Sequence, residues 1–95
     1  MSDRIVIVAA RRTPQGRFLG ALAQYPAVEL AQRAARPLLA EVRPELVNLV
    51  VVGNVLSAGL GMNVARQIAL ALGLPQHVPA YAVNMMCASG MQAVA

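Results

Sequence analysis

The chain of 95 residues has no lysine and no tryptophan, and only one cysteine, one histidine and three aromatic side chains. Each shortage removes a class of function. A single cysteine excludes a disulfide framework and any metal site built from cysteines, and a single histidine leaves no credible set of zinc ligands. Three aromatics make no stacking platform for nucleic acid. Charge is scarce as well: 13% of residues are charged, and the net +4 comes from eight arginines against four acids. Those arginines (4, 11, 12, 17, 33, 36, 43 and 66) are spread along the chain, as on a solvated face rather than a nucleic-acid-binding stripe. No apolar run approaches the ~18 residues of a membrane span. After Met1-Ser2-Asp3-Arg4, the run Ile5–Ala10 ends in Arg11-Arg12 and then Thr13-Pro14-Gln15-Gly16. That order fits neither a secretory signal nor a twin-arginine signal. A cytoplasmic, reduced protein is expected.

Apolar residues, by contrast, are abundant. They make up 58% of the chain, against about 45–50% in an ordinary domain. That excludes intrinsic disorder. It is also too apolar for a unit so small, which buries only about 60–65% of the surface its unfolded chain exposes. The composition is that of the interior of something larger.

Apolar periodicity divides the chain. Ile5–Ala10 is a continuous, largely β-branched run, the pattern of a strand buried on both faces. Pro14, Gly16 and Gly20 punctuate a loop over 11–24. From Ala27, apolar residues at 27, 30, 31, 34, 35, 38 and 42 form one helical stripe, with Pro26 at its start. Glu29 and Arg33 form a favourable i,i+4 pair on the opposite face. Pro37 should kink or split this helix, because it lacks a backbone donor and crowds the preceding turn. Pro44-Glu45 opens a short turn, and Leu49–Val52 predicts a second buried strand. Asn63 can cap a helix over Val64–Leu72, with Val64, Ile68 and Leu72 aligned, and Gly73 and Pro75 end it. Ala80–Met85 predicts a third strand, and a helix starts at Ala88.

The predicted order is therefore β-α-β-α-β and then a helix start: an α/β fold with a mainly parallel sheet and right-handed crossovers. Strands added in one direction place both crossover helices on one face. The other face then needs cover that the final helix alone does not supply, and the missing layer is expected from further polypeptide.

Three features offer chemistry. Gly59-Leu60-Gly61-Met62-Asn63-Val64 lies between a strand and a helix, as a dinucleotide-binding loop does. That loop needs a small residue where Val64 stands and an acid about 20 residues further on, and no acid follows Glu45. Two glycines in a tight turn before a capped helix explain the segment better. His77, between Pro75 and Pro79, fits a solvated loop histidine better than a catalytic one. Cys87 stands where a strand gives way to a helix. There, free N–H groups and the helix dipole favour thiolate, and small Ala88, Ser89 and Gly90 give room for substrate and backbone donors for an oxyanion. The competing explanation is an inert buried cysteine. A thiol redox role would need a resolving cysteine, which is absent.

The segment Val83–Ala95, VNMMCASGMQAVA, resembles the nucleophile segment of the thiolases, whose pattern reads roughly VNxxCxSGxxAV. The resemblance extends upstream. Arg12-Thr13-Pro14, Gly16, Phe18 and Gly20 match RTPxGxFxG; Gly53–Leu56 with Ala58–Gly61 matches GNVLxAGxG; and Asn63–Gln67 matches NPARQ. These blocks span nearly the whole chain in the family's order. The departures are Val64 for the usual proline, Met62 for a common glutamine and Ala88 for the commoner glycine.

The resemblance implies that residues 1–95 are the first part of a thiolase amino-terminal domain, ending at the start of the nucleophile helix. It implies an acyl-CoA acyltransferase of fatty acid metabolism, of the acetyl-CoA acetyltransferase or 3-ketoacyl-CoA thiolase type. Cys87 would take the acyl group as a thioester, for Claisen condensation or the reverse thiolysis. Coenzyme A would be part of the substrate, with no cofactor and no metal, and the assembly a homodimer or homotetramer. The family's activating histidine lies in a GHP motif near the carboxyl end, and its second, acid–base cysteine in a glycine-rich segment there. Neither these nor the family's coenzyme A-holding loop falls within these 95 residues, so the chain alone is expected to be inactive. The alternative is a stand-alone fragment or assembly module without catalysis.

Overall fold

The computed structural model describes residues 4–95; Met1, Ser2 and Asp3, considered above as the start of a targeting signal, lie outside them. Pro26, extended at φ −63° and ψ 156°, opens helix α1 (Ala27–Ala35), and its carbonyl accepts from Leu30 N–H at 3.0 Å. The Glu29–Arg33 pair forms at 3.2 Å, and the same guanidinium sits 4.9 Å from the Tyr25 ring centroid. Pro37 splits the helix as expected: Arg36–Ala40 tightens into a 3-10 turn. A second 3-10 turn, Pro44–Leu46, leads into strand β1 (Val50–Gly53). Helix α2 (Val64–Ala71), strand β2 (Ala80–Val83) and helix α3 (Ser89–Val94) follow.

The two strands pair in parallel, Val50 opposite Ala80 and Gly53 opposite Val83, as the α/β assignment requires. The ladder runs on at both ends, with Val50 N–H donating to the carbonyl of Pro79, just before β2, and Asn54 N–H, just after β1, to that of Val83. Residues 5–10 differ from expectation. They pair with no strand among the described residues, and Ile5, Val6, Ile7 and Val8 are 69–99% exposed. An apolar run marks what a segment would bury, but it becomes a strand only where a partner edge takes its N–H and C=O groups. The paired strands also fall short of full burial: β1 is half-buried throughout, and Tyr81 and Ala82 of β2 are exposed. Strand β2 ends two residues early, because Asn84 begins a turn.

The core gathers on α2. Val64, Ala65, Ile68 and Ala69 are buried there, with Leu74 and Val78 from the connection to β2. The aligned Val64 and Ile68 face inward as predicted; Leu72, at the helix end, is half-buried. Asn63 caps α2 from a left-handed conformation (φ 45°), which asparagine tolerates better than most residues. Its Oδ1 accepts from Arg66 N–H at 3.0 Å while its Nδ2 donates to the Ala80 carbonyl at 3.1 Å, tying the start of α2 to the start of β2. Arg66 fixes the connecting loop by donating to the carbonyls of Val78 and Gln76.

One contact places α3. A Cβ added to Gly53 would lie 2.5 Å from the carbonyl carbon and oxygen of Ser89 and 2.7 Å from the nitrogen of Gly90. Backbone meets backbone there, so position 53 admits only hydrogen. Among the described residues, no helix is long and apolar enough to cross a membrane.

Two outcomes follow from this packing. Gly53→Ala should lower the midpoint of urea unfolding by the equivalent of about 1–3 kcal/mol or more, since backbone must move to admit the methyl group. The 95 residues expressed alone, with residues 5–8 and Tyr81 bare, should bind a hydrophobic dye strongly and melt without a sharp transition. A cooperative calorimetric peak from a soluble monomer would show that the core is sufficient as it stands.

Candidate active site

Parallel strands bring their carboxyl ends to one edge of a sheet, where the loops that follow them can share a site. Here those loops are residues 54–63 after β1 and 84–88 after β2. They border one cleft of about 380 Å³, lined by Asn54, Ser57, Gly61 and Asn63 from the first, with Tyr81 and Asn84 from β2 and its exit. The side-chain Nδ2 of Asn54 is buried there without a hydrogen-bond partner.

Five residues carry the chain from β2 into α3. Asn84 Oδ1 accepts from Met86 N–H at 3.0 Å, the side-chain turn typical of asparagine. Met86 takes a left-handed conformation, φ 50°, which reverses the chain. The N–H groups of Ala88 and Ser89 donate to the carbonyls of Met85 and Met86, at 3.0 and 3.1 Å. Beneath the turn lies Ser89, 4% exposed, whose Oγ accepts from Met85 N–H at 2.8 Å and donates to the Met86 carbonyl at 2.7 Å. Cys87 rides on the outside of this turn. Its thiol is free and the residue is exposed, not packed into the core as an inert cysteine would be.

The structure changes the expected surroundings of the thiol. Cys87 precedes the helix cap, Ala88, by one residue rather than standing on the helix. Of the three small residues expected to offer N–H donors, Ala88 and Ser89 are committed to the turn, which leaves Gly90. Met85, Met86 and Met91 are all exposed, so the ground around the thiol is apolar. Ser89 supplies a buried hydroxyl as well as small size. The signals for this were an asparagine two residues before Met86 and a serine three after it, spacings at which such side chains bond local backbone.

His77 does not join Cys87. It is exposed in the loop before β2, whereas Cys87 follows that strand, so ~10 Å of extended chain lies between the two ends. The glycine-rich loop is not a phosphate cradle. Gly59 and Gly61 adopt φ of 79° and 84°, and Gln67 Nε2 donates to the carbonyls of Leu60 and Met62, at 2.7 and 3.0 Å. The Arg66 N–H of the helix's first turn is already taken by Asn63. Two glycines making a tight turn account for the segment.

The chain is similar to known proteins over nearly its whole length. The profile of the thiolase amino-terminal domain matches residues 5–95. An acetyl-CoA acetyltransferase of Cupriavidus necator is 49% identical over 96 residues, covering 99% of this chain and 24% of the relative. One of Clostridioides difficile is 43% identical over 90 residues, covering 93% of this chain and 84% of the relative. A thiolase of Ascaris suum, solved in complex with coenzyme A, superimposes with a TM-score of 0.85 at 33% identity, over 90% of this chain and 23% of that one. The chain thus spans about a quarter of the Cupriavidus relative.

The exposed thiol generates a direct expectation. Ellman's reagent should modify Cys87 within minutes without denaturant, as located by peptide mass spectrometry, and Cys87→Ala should lose that modification. A thiol that reacts only in denaturant would place Cys87 inside.

Proposed function

We propose, for a chain that belongs to the thiolase family through its amino-terminal domain, that the complete protein is an acyl-CoA acyltransferase with Cys87 as its nucleophile. The observation that carries this is the exposed, unpaired thiol of Cys87 on a tightly bonded turn, inside the segment that the family profile covers. A nucleophile must be both reachable and held in place, and the turn provides both conditions.

In the proposed reaction, Cys87 Sγ attacks the carbonyl carbon of an acyl-CoA thioester. The thiol proton passes to a base, the carbon–sulfur bond to coenzyme A breaks, and coenzyme A leaves as its thiol. The α-carbon of a second acyl-CoA, once deprotonated, attacks the Cys87 thioester; a carbon–carbon bond forms and the Cys87 sulfur departs. Thiolysis is the same path run backward. The N–H groups of Cys87 itself and of Gly90, neither engaged in the turn, are the local donors for the oxyanion. The base and the enolate-stabilising groups are assigned to polypeptide outside these 95 residues, since His77 is remote and Glu29 and Arg33, like Glu41 and Arg11, pair with each other on the surface. Residues 1–95 are thus the first part of the domain, and coenzyme A enters and leaves as substrate rather than cofactor. An exposed, unpaired cysteine suits the reducing cytoplasm. The methionines and bare strand around the site suit a homo-oligomeric assembly, a dimer or tetramer.

Brief exposure of the complete protein to acetyl-CoA should leave one acetyl group on Cys87, located by peptide mass spectrometry. Cys87→Ser should lose at least ~10³-fold in condensation rate, because a hydroxyl is far harder to ionise than a thiol. An acetyl group on any other residue would overturn the assignment. The 95 residues alone should cleave no acetoacetyl-CoA, with Cys87→Ala as the control for host enzyme; cysteine-dependent turnover would mean that they hold a base after all.

A further inference from the structure

We infer that Ser89 is a positioning residue for Cys87: its hydroxyl ties the Asn84–Met85 peptide to the Met86–Cys87 peptide in the geometry that turns the thiol outward, and thereby sets how fast Cys87 accepts an acyl group. The inference rests on Cys87 being the nucleophile. Ser89 is the buried polar side chain among the described residues, and its hydroxyl is fully engaged within the turn, accepting from Met85 N–H and donating to the Met86 carbonyl. Such a hydroxyl lies under the turn and has no free proton for substrate. Its work is done through Met86. A left-handed φ is unfavourable for a residue with a long side chain and persists only where neighbours over-determine it. Asn84 restrains Met86 from its amide side alone, through its N–H at 3.0 Å. Ser89 restrains the other side, gripping both the preceding N–H and the Met86 carbonyl, whose peptide leads directly into Cys87.

Ser89 is itself anchored, because its carbonyl group lies against Gly53 with no room for a side chain between them. Strand β1, Gly53, Ser89, Met86 and Cys87 therefore form one rigid series. Without the hydroxyl, Met86 keeps only Asn84 on its N–H and the Ser89 N–H on its carbonyl, so its left-handed φ is held less firmly and the Met86–Cys87 peptide loosens with it. A small apolar residue at 89 would keep the space and lose the grip.

The test uses the complete protein with Ser89→Ala, Ser89→Thr and the double variant Ser89→Ala/Met86→Gly. Single-turnover acetylation of Cys87 by acetyl-CoA is followed by rapid-quench mass spectrometry, with the rate per reactive thiol taken as the first-order constant of the exponential phase, so that misfolded molecules lower the amplitude and not the rate. Ser89→Ala should slow acetylation by ~10–100-fold, the loss expected when a reacting group is displaced by about 1 Å, with the apparent KM for acetyl-CoA changed less than ~3-fold. Ser89→Thr, which keeps the hydroxyl, should stay within ~5-fold of wild type. Glycine adopts positive φ without steric penalty, so the double variant should recover several-fold of the loss. A purely structural serine predicts otherwise: less folded protein, an unchanged rate per thiol, and no recovery in the double variant. If wild-type Cys87 is acetylated and Ser89→Ala matches its rate, the positioning role is overturned while the nucleophile stands. If wild-type Cys87 never carries acetyl, both fall.

Discussion

The contact of Gly53 with the Ser89–Gly90 backbone is the constraint on which the functional end of the molecule depends. Parallel pairing sets Gly53 opposite Val83, the last residue of β2. The chain must leave Val83, reverse, and bring Ser89 back over the neighbouring strand within six residues. Only a sharp reversal closes that path, and the left-handed Met86 is where the chain makes it. A larger residue at 53 would lift α3 off the strand and relax the turn, so the exposure of Cys87 follows from the absence of a side chain two elements away.

Side-chain-to-backbone bonds hold this arrangement, and ion pairs contribute little. The two ion pairs found among the described residues, Arg11–Glu41 and Glu29–Arg33, lie at the surface with both partners roughly half exposed, where such pairs are worth ~0–1 kcal/mol. Asn63, Arg66, Gln67, Asn84 and Ser89 instead place their polar atoms on main-chain groups of loops and helix starts. Each satisfies a donor or acceptor that the short strands and helices leave unpaired. With so few charged residues, the chain builds precision from amides and hydroxyls. The same bonds hold the glycine-rich loop and Asn84, the first residue of the cysteine turn, beside one cleft, which Cys87 itself does not line.

Much of this was legible because the signals were local. Pro37 removes a backbone donor wherever the helix is packed, so the split at Arg36 needed no tertiary knowledge. Asn63 before Val64 is a cap by its own hydrogen-bonding capacity, and the Val64–Ile68 stripe faces inward by helical period alone. Cys87 stood out because a reactive side chain occurred once, at a strand-to-helix junction, in a segment resembling a known nucleophile motif. Ser89 was legible only as small. Its hydroxyl acquires partners when Met86 turns left-handed, a conformation that methionine gives no reason to expect.

By itself, the sequence determined the alternation of elements, their approximate limits, the parallel α/β class and the position of the one thiol, because periodicity, proline, asparagine and glycine act within a few residues of themselves. Tertiary structure decided the rest. Whether Ile5–Ala10 becomes a strand depends on an edge to pair with, and among the described residues none does so. Whether Cys87 is buried or exposed depends on Gly53, 34 positions earlier, admitting the Ser89 backbone. Burial, pairing and close approach are relations between distant segments, and those are fixed only when the chain has folded.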